Sequence, residues 1–150
     1  VETAQEMFDE VLKIIDQCDV FIGCAAVADY KPTNILVNKI KKTQESISLE
    51  LTKNIDIIDY VAKHYPSKYV VGFSAETNEL KKHAMEKLSR KNLDLIVAND
   101  VSRKDIAFDS SENEVTIFSK GSTISIPKST KMIVATRILK EIFNQNSYLH

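Results

Sequence analysis

The sequence predicts an α/β fold: a Rossmann-like, doubly wound and mostly parallel sheet with helices on both faces, plus a C-terminal β-hairpin. Three continuous apolar runs, typical of buried parallel strands, alternate with segments whose apolar residues recur at helical spacing. Near the C-terminus, two segments alternate apolar and polar residues around Lys120-Gly121, which indicates a hairpin. With 150 residues, the chain is expected to form one domain.

The N-terminal part of the chain is predicted to contain a helix, a buried strand and a basic segment. Thr3 and Glu6 have the spacing of a capping box, and an apolar stripe with helical spacing follows them. The run VFIGCAAVAD predicts the first buried strand, which ends at Asp29. The segment 30–46 contains Pro32 and four lysines within twelve residues. It predicts a mobile basic flap or an ordinary solvated loop, and charge alone does not separate the two.

The rest of the chain continues the alternation of strands and helices. Period-two patterns predict exposed or hairpin strands, and short apolar runs predict buried ones. In chain order, we predict a half-exposed strand at 47–51, a short helix capped by Asn54 and ending near Tyr65, a buried strand at 69–75, a helix capped by Thr77 or Asn78 and running to about Lys91, a buried strand at 93–98, hairpin strands at 114–118 and 122–126, and a closing helix from Ser129 to about Asn144.

An acid follows each of the three buried apolar runs: Asp29, Glu76 and Asp100. In open α/β sheets, ligands bind beyond the carboxyl ends of the strands, so these acids are expected to lie at one edge. Each acid alone could simply cap a turn or helix. Together with nearby lysines and Phe73, they favour a nucleotide, although the carboxylates could instead hold a hard cation. Asp29 is the strongest of the three candidates.

Lys87 and Lys91 are four residues apart and share a helix face with His83. Such a row of cations is either a solvated surface or a site for negative charge. The three histidines of the chain show no metal-ligand spacing, and no paired nucleophile and base is visible.

Composition excludes several classes of protein. The chain has 20 Lys and Arg against 21 Asp and Glu, so its net charge of -1 predicts no binding to nucleic acid or to an anionic membrane. No stretch approaches the roughly 18 apolar residues of a membrane span. Cys18 and Cys24 match no zinc or CxxC pattern, which favours reduced thiols. We therefore expect a cytoplasmic protein.

Six blocks of the sequence, in order along nearly the whole chain, resemble the bacterial phosphopantothenoylcysteine synthetase family. This family is the ligase half of the bifunctional coenzyme A biosynthesis flavoprotein. The blocks are GCAAVADY (23–30), KIKK (39–42), LTKNIDII (51–58), VVGFSAET (70–77), KLSRKNLDLIVANDVS (87–102) and FDSSENEV (108–115).

The resemblance implies a ligase that activates 4'-phosphopantothenate with CTP as an acyl-cytidylate, from which L-cysteine displaces CMP. Mg²⁺ is expected as a cofactor, with no protein metal ligand predicted. Lys39 would be the catalytic residue, because an ammonium can stabilise negative charge that develops in the transition state. The residues carried over as the nucleotide site are Gly23, Cys24, Ala25, Asp29, Lys39, Ile55, Asp56, Ile57, Ile58, Phe73, Lys87 and Lys91.

The resemblance also implies a homodimer, with the contact at the C-terminal hairpin, and an N-terminal decarboxylase domain that alone would bind FMN. Residues 1–150 would be the C-terminal portion of a single synthetase domain. We expect its first strands, its glycine-rich phosphate turn and a catalytic asparagine to precede Val1, so the fragment alone should be inactive. The alternatives are a nucleotide-binding or dimerisation module without activity and a dinucleotide-dependent oxidoreductase, which the lack of a GxGxxG motif disfavours.

Overall fold

A computed structural model of the protein describes residues 1–34, 46–101 and 111–145. The chain begins with a helix that ends in a 3-10 turn at Ile15–Gln17, and strands and helices then alternate. The elements are α1 (Ala4–Ile14), β1 (Val20–Gly23), β2 (Tyr30–Pro32), β3 (Leu51–Lys53), α2 (Ile57–His64), β4 (Tyr69–Glu76), α3 (Leu80–Arg90), β5 (Leu95–Asp100), β6 (Glu112–Ser119), β7 (Ser122–Thr130) and α4 (Lys131–Gln145).

Five strands form one mixed sheet in the order β1-β4-β5-β6-β7. Strands β1, β4 and β5 are parallel, whereas β6 and β7 form an antiparallel hairpin beside β5. The hairpin turns at Lys120-Gly121, where Gly121 has a φ of 90° that favours glycine. The predicted α/β sheet and its C-terminal hairpin are thus confirmed.

Helices cover both faces of this sheet, as predicted. On one face, α2 and α3 bury Val61, Ala84 and Leu88 against β4 and β5. On the other face, α4 packs Val134 and Ile138 against the same strands and the hairpin. Strand β5 is buried on both sides from Leu95 to Ala98, which explains its continuous apolar run. No helix in the described ranges is long and apolar enough to cross a membrane.

The capping box predicted at the start of α1 is present. The Glu6 backbone N–H donates to Thr3 Oγ1 at 3.1 Å, and the Thr3 backbone N–H donates to Glu6 Oε2 at 3.1 Å. The predicted cap of the next helix was wrong, because Asp56 occupies that position and its Oδ1 accepts from the Asp59 backbone N–H at 3.2 Å. Asn54 has another role, described with the site below.

Other predicted boundaries also differ. Strand β5 runs from Leu95 to Asp100 instead of 93–98, β6 begins at Glu112 instead of Glu114, and β7 continues to Thr130, so α4 begins at Lys131 and not at Ser129. Strand β1 ends at Gly23, where its pairing with β4 ends, so residues 24–29 form a loop. The predicted strand at 47–51 is wrong except at Leu51, which pairs with Pro32 of β2 in a separate two-stranded sheet. Helix α3 begins after Glu79, which has a left-handed φ of 45° and makes no side-chain cap, instead of after Thr77 or Asn78.

Gly23 and Gly72 are neighbours in the register of β1 and β4, directly beneath the first turn of α2. A Cβ at either position would lie 3.1 Å from Ile58 Cδ1, and a Cβ at Gly72 would also lie 2.8 Å from Leu93 Cδ1. The two glycines therefore allow α2 to begin close to the carboxyl end of β1.

We expect Gly72→Val to lower the free energy of unfolding by about 1–3 kcal/mol, because its branched side chain overpacks the space under Ile58. Gly72→Ala should cost less, since the Leu93 methyl is the end of a side chain that can shift. Urea denaturation measures both. Equal, negligible losses would contradict close packing of α2 on these strands.

Candidate functional site

A cavity of about 420 Å³ lies between the end of β1, the loop 24–29, the start of α2 and β4. This is the carboxyl edge of the parallel strands, where ligands bind in α/β sheets. Its walls are Met7, Val11, Phe21, Ile22, Gly23, Cys24, Ala25, Val27, Ala28, Asp29, Asn54, Ile55, Asp56, Ile57, Ile58, Phe73 and Lys91.

The cavity brings together every residue predicted for the nucleotide site except Lys39 and Lys87. Lys39 and most of the predicted basic flap lie outside the described residues. Met7 and Val11 belong to the apolar stripe predicted for the first helix, and their spacing, which is that of ordinary helix packing, gave no sign that they line a cavity. Their contribution to the cavity wall depends on where α1 lies, which periodicity does not show.

Asn54 fixes the shape of the cavity mouth. Its backbone N–H donates to the Asp29 carbonyl oxygen at 2.8 Å, and its side-chain Nδ2 donates to the Ala28 carbonyl oxygen at 2.8 Å. These two bonds join the loop 24–29 to the segment that leads into α2. Asn54 is therefore a structural residue of the site, and sequence reasoning missed this because its side-chain partner, Ala28, is 26 residues away.

Lys91 and Asp56 form an ion pair in the cavity wall. Lys91 Nζ lies 2.7 Å from Asp56 Oδ2, and the Lys91 side chain is only 20% exposed. Because Asp56 also caps α2, the lysine ammonium lies at the positive end of that helix. A helix N-terminus and an ordered ammonium together favour a negatively charged ligand, which would share Lys91 with Asp56.

Cys24 contributes a thiol to the cavity wall, and the structure describes it as a free cysteine. Burial raises the pKa of this thiol, so it stays protonated at neutral pH. The thiolate is the reactive form of cysteine. At neutral pH Cys24 is therefore mostly the less reactive thiol, and because its residue is exposed it lines the cavity within reach of solvent.

A second polar cluster lies at the end of β4 and is centred on Glu76. Lys87 Nζ donates to Glu76 Oε1 at 2.6 Å and to Ser74 Oγ at 3.1 Å. Ser74 Oγ also donates to Glu76, and His83 Nδ1 lies 3.3 Å from the other carboxylate oxygen. Burial alone would raise the pKa of Glu76, but the hydrogen bonds from Lys87 and Ser74 and the charges of Lys87 and His83 together lower it. Glu76 is therefore ionised at neutral pH.

The three strand-end acids do not converge on one cavity. Asp29 lines it, whereas Glu76 is held by Lys87 and His83, and Asp100 pairs in register with Glu76 as the last residue of β5. The expectation of a common site is wrong because β1 ends four residues short of β4 in their shared register. Within the described part of the chain, no group of three His, Cys, Asp or Glu residues could hold a metal ion.

Comparison with known proteins shows the family of the chain. Residues 1–145 match the family model described as DFP, DNA/pantothenate metabolism flavoprotein C-terminal domain. The chain is 41% identical over 145 residues to the coenzyme A biosynthesis bifunctional protein CoaBC of Vibrio vulnificus, a match that covers 95% of this chain and 36% of the relative. It is 43% identical over 148 residues to CoaBC of Escherichia coli, with coverage of 95% and 36%.

Solved structures agree as well. A crystal structure of the C-terminal domain of CoaBC matches with a TM-score of 0.75 and 35% identity over 95% of this chain and 62% of that one. A Cab2 variant in complex with phosphopantothenate-cysteine shares the fold, with a TM-score of 0.71 and 17% identity over 97% of this chain and 52% of that one. The chain spans 36% of the length of the CoaBC relatives named above. It belongs to the family of DNA/pantothenate metabolism flavoprotein C-terminal domains.

Proposed function

We propose that this chain forms the nucleotide-binding part of a phosphopantothenoylcysteine synthetase, which joins 4'-phosphopantothenate to L-cysteine with CTP in coenzyme A biosynthesis. The observation that carries the proposal is the cavity at the carboxyl edge of β1 and β4, which gathers Gly23, Cys24, Ala25, Asp29, Ile55 to Ile58, Phe73 and Lys91. The names of the relatives support the pathway.

The cavity offers suitable contacts for CTP. Phe73 is 40% exposed and presents an aromatic surface for the base or ribose. The Asp29 carboxylate can accept a hydrogen bond from the exocyclic amine of cytosine, a group that uracil lacks. The Lys91 ammonium, at the start of α2, can meet the phosphates.

The reaction proceeds in two steps. A carboxylate oxygen of 4'-phosphopantothenate attacks the α-phosphorus of CTP, and the bond to the leaving pyrophosphate breaks. The cysteine amine then attacks the acyl carbon, CMP leaves with the electron pair of the broken bond, and the amine nitrogen loses one proton to solvent as the amide forms. The lysines neutralise charge on the phosphates in both steps, and we propose that Lys39 acts on the charge developing at the reacting groups.

Mg²⁺ fits this site only as a companion of the nucleotide. Of the described carboxylates in the cavity wall, Asp56 is already paired with Lys91, which leaves Asp29. Mg²⁺ is commonly held by substrate phosphates and one or two carboxylates. We therefore propose that it enters with the CTP triphosphate.

We further propose a cytoplasmic homodimer whose contact includes the hairpin, with an N-terminal, FMN-binding decarboxylase domain in the whole protein. Strand β7 is the last strand in the sheet order, so one of its edges has no neighbour among the described strands. Such an edge can pair with another chain. Its first half, from Ser122 to Ile126, suits this best, because Pro127 and Lys128 discourage pairing further along.

The test is a chimeric protein in which this chain replaces the matching segment of Escherichia coli CoaBC. With 4'-phosphopantothenate and CTP, we expect one burst of about one pyrophosphate per site, followed by steady release only when cysteine is added, as covalent-intermediate kinetics require. ATP and UTP should give far less. The thermal unfolding transition of the ligase part, compared with that of Escherichia coli CoaBC, serves as the control for folding. A chimera that keeps this transition but releases no CTP-dependent pyrophosphate would contradict the proposed function.

A further inference from the structure

Lys87 does not line the cavity, yet its position and contacts connect it to the site. It lies on α3 one helical turn before Lys91, which is the C-cap residue of this helix and part of the cavity wall. Two acceptors, Glu76 Oε1 and Ser74 Oγ, hold its ammonium at 2.6 Å and 3.1 Å. An ammonium has three donors, so one N–H remains available for a ligand.

We propose that Glu76, assisted by Ser74, is a positioning residue that orients the Lys87 ammonium toward the polyphosphate of the bound nucleotide. This inference rests on the proposed function. Glu76 acts through Lys87 and does not itself contact the ligand.

The physical argument is that a free lysine must lose rotamer freedom when it binds an anion. Lys87 has a long side chain that is 38% exposed, and without partners it would sample many conformations. Fixing such a side chain on binding opposes the binding, because its rotamer freedom is lost. Because Glu76 and Ser74 already fix the ammonium in the unbound protein, this cost falls on folding instead of on nucleotide binding.

Glu76 is suited to this task because it is itself held in place. Its side chain is only 13% exposed. Ser74 and Lys87 contact its Oε1, and His83 contacts its Oε2. Strand β4 places Ser74 and Glu76 two residues apart, so both side chains point to the α3 face of the sheet. The carboxylate is therefore a rigid anchor for a flexible lysine.

A competing effect has the opposite sign. Glu76 is an anion, so it also reduces the positive charge that Lys87 presents to a phosphate. If charge balance were its main effect, removing the carboxylate would tighten nucleotide binding. If positioning is its main effect, removing it weakens binding, and the weakening requires Lys87.

The experiment is a double-mutant cycle in the active chimera, with Glu76→Gln, Lys87→Met and the double variant. We expect Glu76→Gln to raise the KM for CTP roughly tenfold with little change in kcat. The reason is that the Lys87 ammonium binds the polyphosphate equally well in the ground state and in the transition state. In the Lys87→Met background, Glu76→Gln should raise the KM for CTP no further, because no ammonium is left to position; it should instead lower the KM slightly, because it removes an unpaired carboxylate. Glu79→Gln is the matched control, since Glu79 pairs with Lys82 on the exposed side of the same helix.

A second measurement needs no nucleotide. Acylation of lysines by a water-soluble ester, followed by mass spectrometry, should label Lys87 several-fold faster in Glu76→Gln than in the wild type, while Lys81 serves as the internal reference. The inference is overturned if Glu76→Gln leaves the labelling rate of Lys87 unchanged or, as a single variant, lowers the KM for CTP. It is also overturned if Glu76→Gln raises the KM equally in the wild-type and Lys87→Met backgrounds. If the wild-type chimera shows no dependence on CTP, the proposed function fails, and the inference fails with it.

Discussion

Replacing Lys39 with glutamine should lower kcat of the chimera about 100- to 1,000-fold, which is the usual cost of removing one group that stabilises transition-state charge. The KM for CTP should change far less. The resemblance assigns Lys39 to catalysis, and its ammonium would act only when negative charge develops at the activated carboxyl and the phosphate. An interaction made mainly in the transition state affects kcat and not ground-state binding.

Lys41→Gln is the matched control, because it removes the same charge from the same basic segment. We expect it to change kcat less than threefold. Single-turnover pyrophosphate release without cysteine isolates the first step and should show the full Lys39 effect. Equal losses in kcat and in CTP affinity for Lys39→Gln would instead assign Lys39 a simple binding role.

The described part of the chain that flanks Lys39 supports a link to the cavity. Strands β2 and β3 pair antiparallel, and the Thr33 backbone N–H donates to the Glu50 carbonyl oxygen at 3.0 Å, so the intervening segment begins and ends side by side. The base of this two-stranded arm is joined to the cavity loop by Asn54. The described residues on either side of the basic segment, Thr33 and Glu50, therefore belong to an arm whose base lies next to the proposed CTP site.

The spacing of apolar residues predicted most of the helices and strands, because burial in the folded protein determines that spacing. The run Leu95–Ala98 is apolar because both faces of β5 are covered, and the helix spacing around Ala84 and Leu88 follows from packing on one side. Boundaries were less predictable, because they depend on partners distant in sequence. Asn54 is a residue type that often caps helices, but its side chain hydrogen-bonds to the loop 24–29. Asp56 is therefore the N-cap of α2.

Many of the residues that line the cavity were predictable as a set, but their arrangement was not. Sequence alone placed Lys87 and Lys91 on one helix face, but it could not show that one pairs with Asp56 in the cavity and the other with Glu76 outside it. The signal for the second pair was the period of β4, which places Ser74 and Glu76 on the same face. Which acid each lysine pairs with depends on how α3 packs against β4 and the start of α2.

Replacing Lys91 with methionine should weaken CTP binding about 10- to 100-fold. Part of the loss is the charge-assisted contact with phosphate, which is worth roughly 1.5–3 kcal/mol. The rest arises because Asp56 stays in the cavity wall without its partner and repels the triphosphate. Asp56→Asn in the Lys91→Met background should therefore recover part of the affinity, although Asp56→Asn alone should not improve binding.

Protection of cysteine from alkylation gives a direct measure of this binding. CTP should slow the modification of Cys24, which lines the cavity, and leave Cys18 unchanged as an internal reference. Lys91→Met should lose this protection at CTP concentrations that protect the wild type, whereas Lys81→Met, on the same helix but outside the cavity wall, should keep it. Equal loss in both lysine variants would mean that general charge, and not the ammonium held at the start of α2, attracts the nucleotide. Full protection in Lys91→Met would place the triphosphate away from Lys91 and leave its pair with Asp56 a purely structural contact.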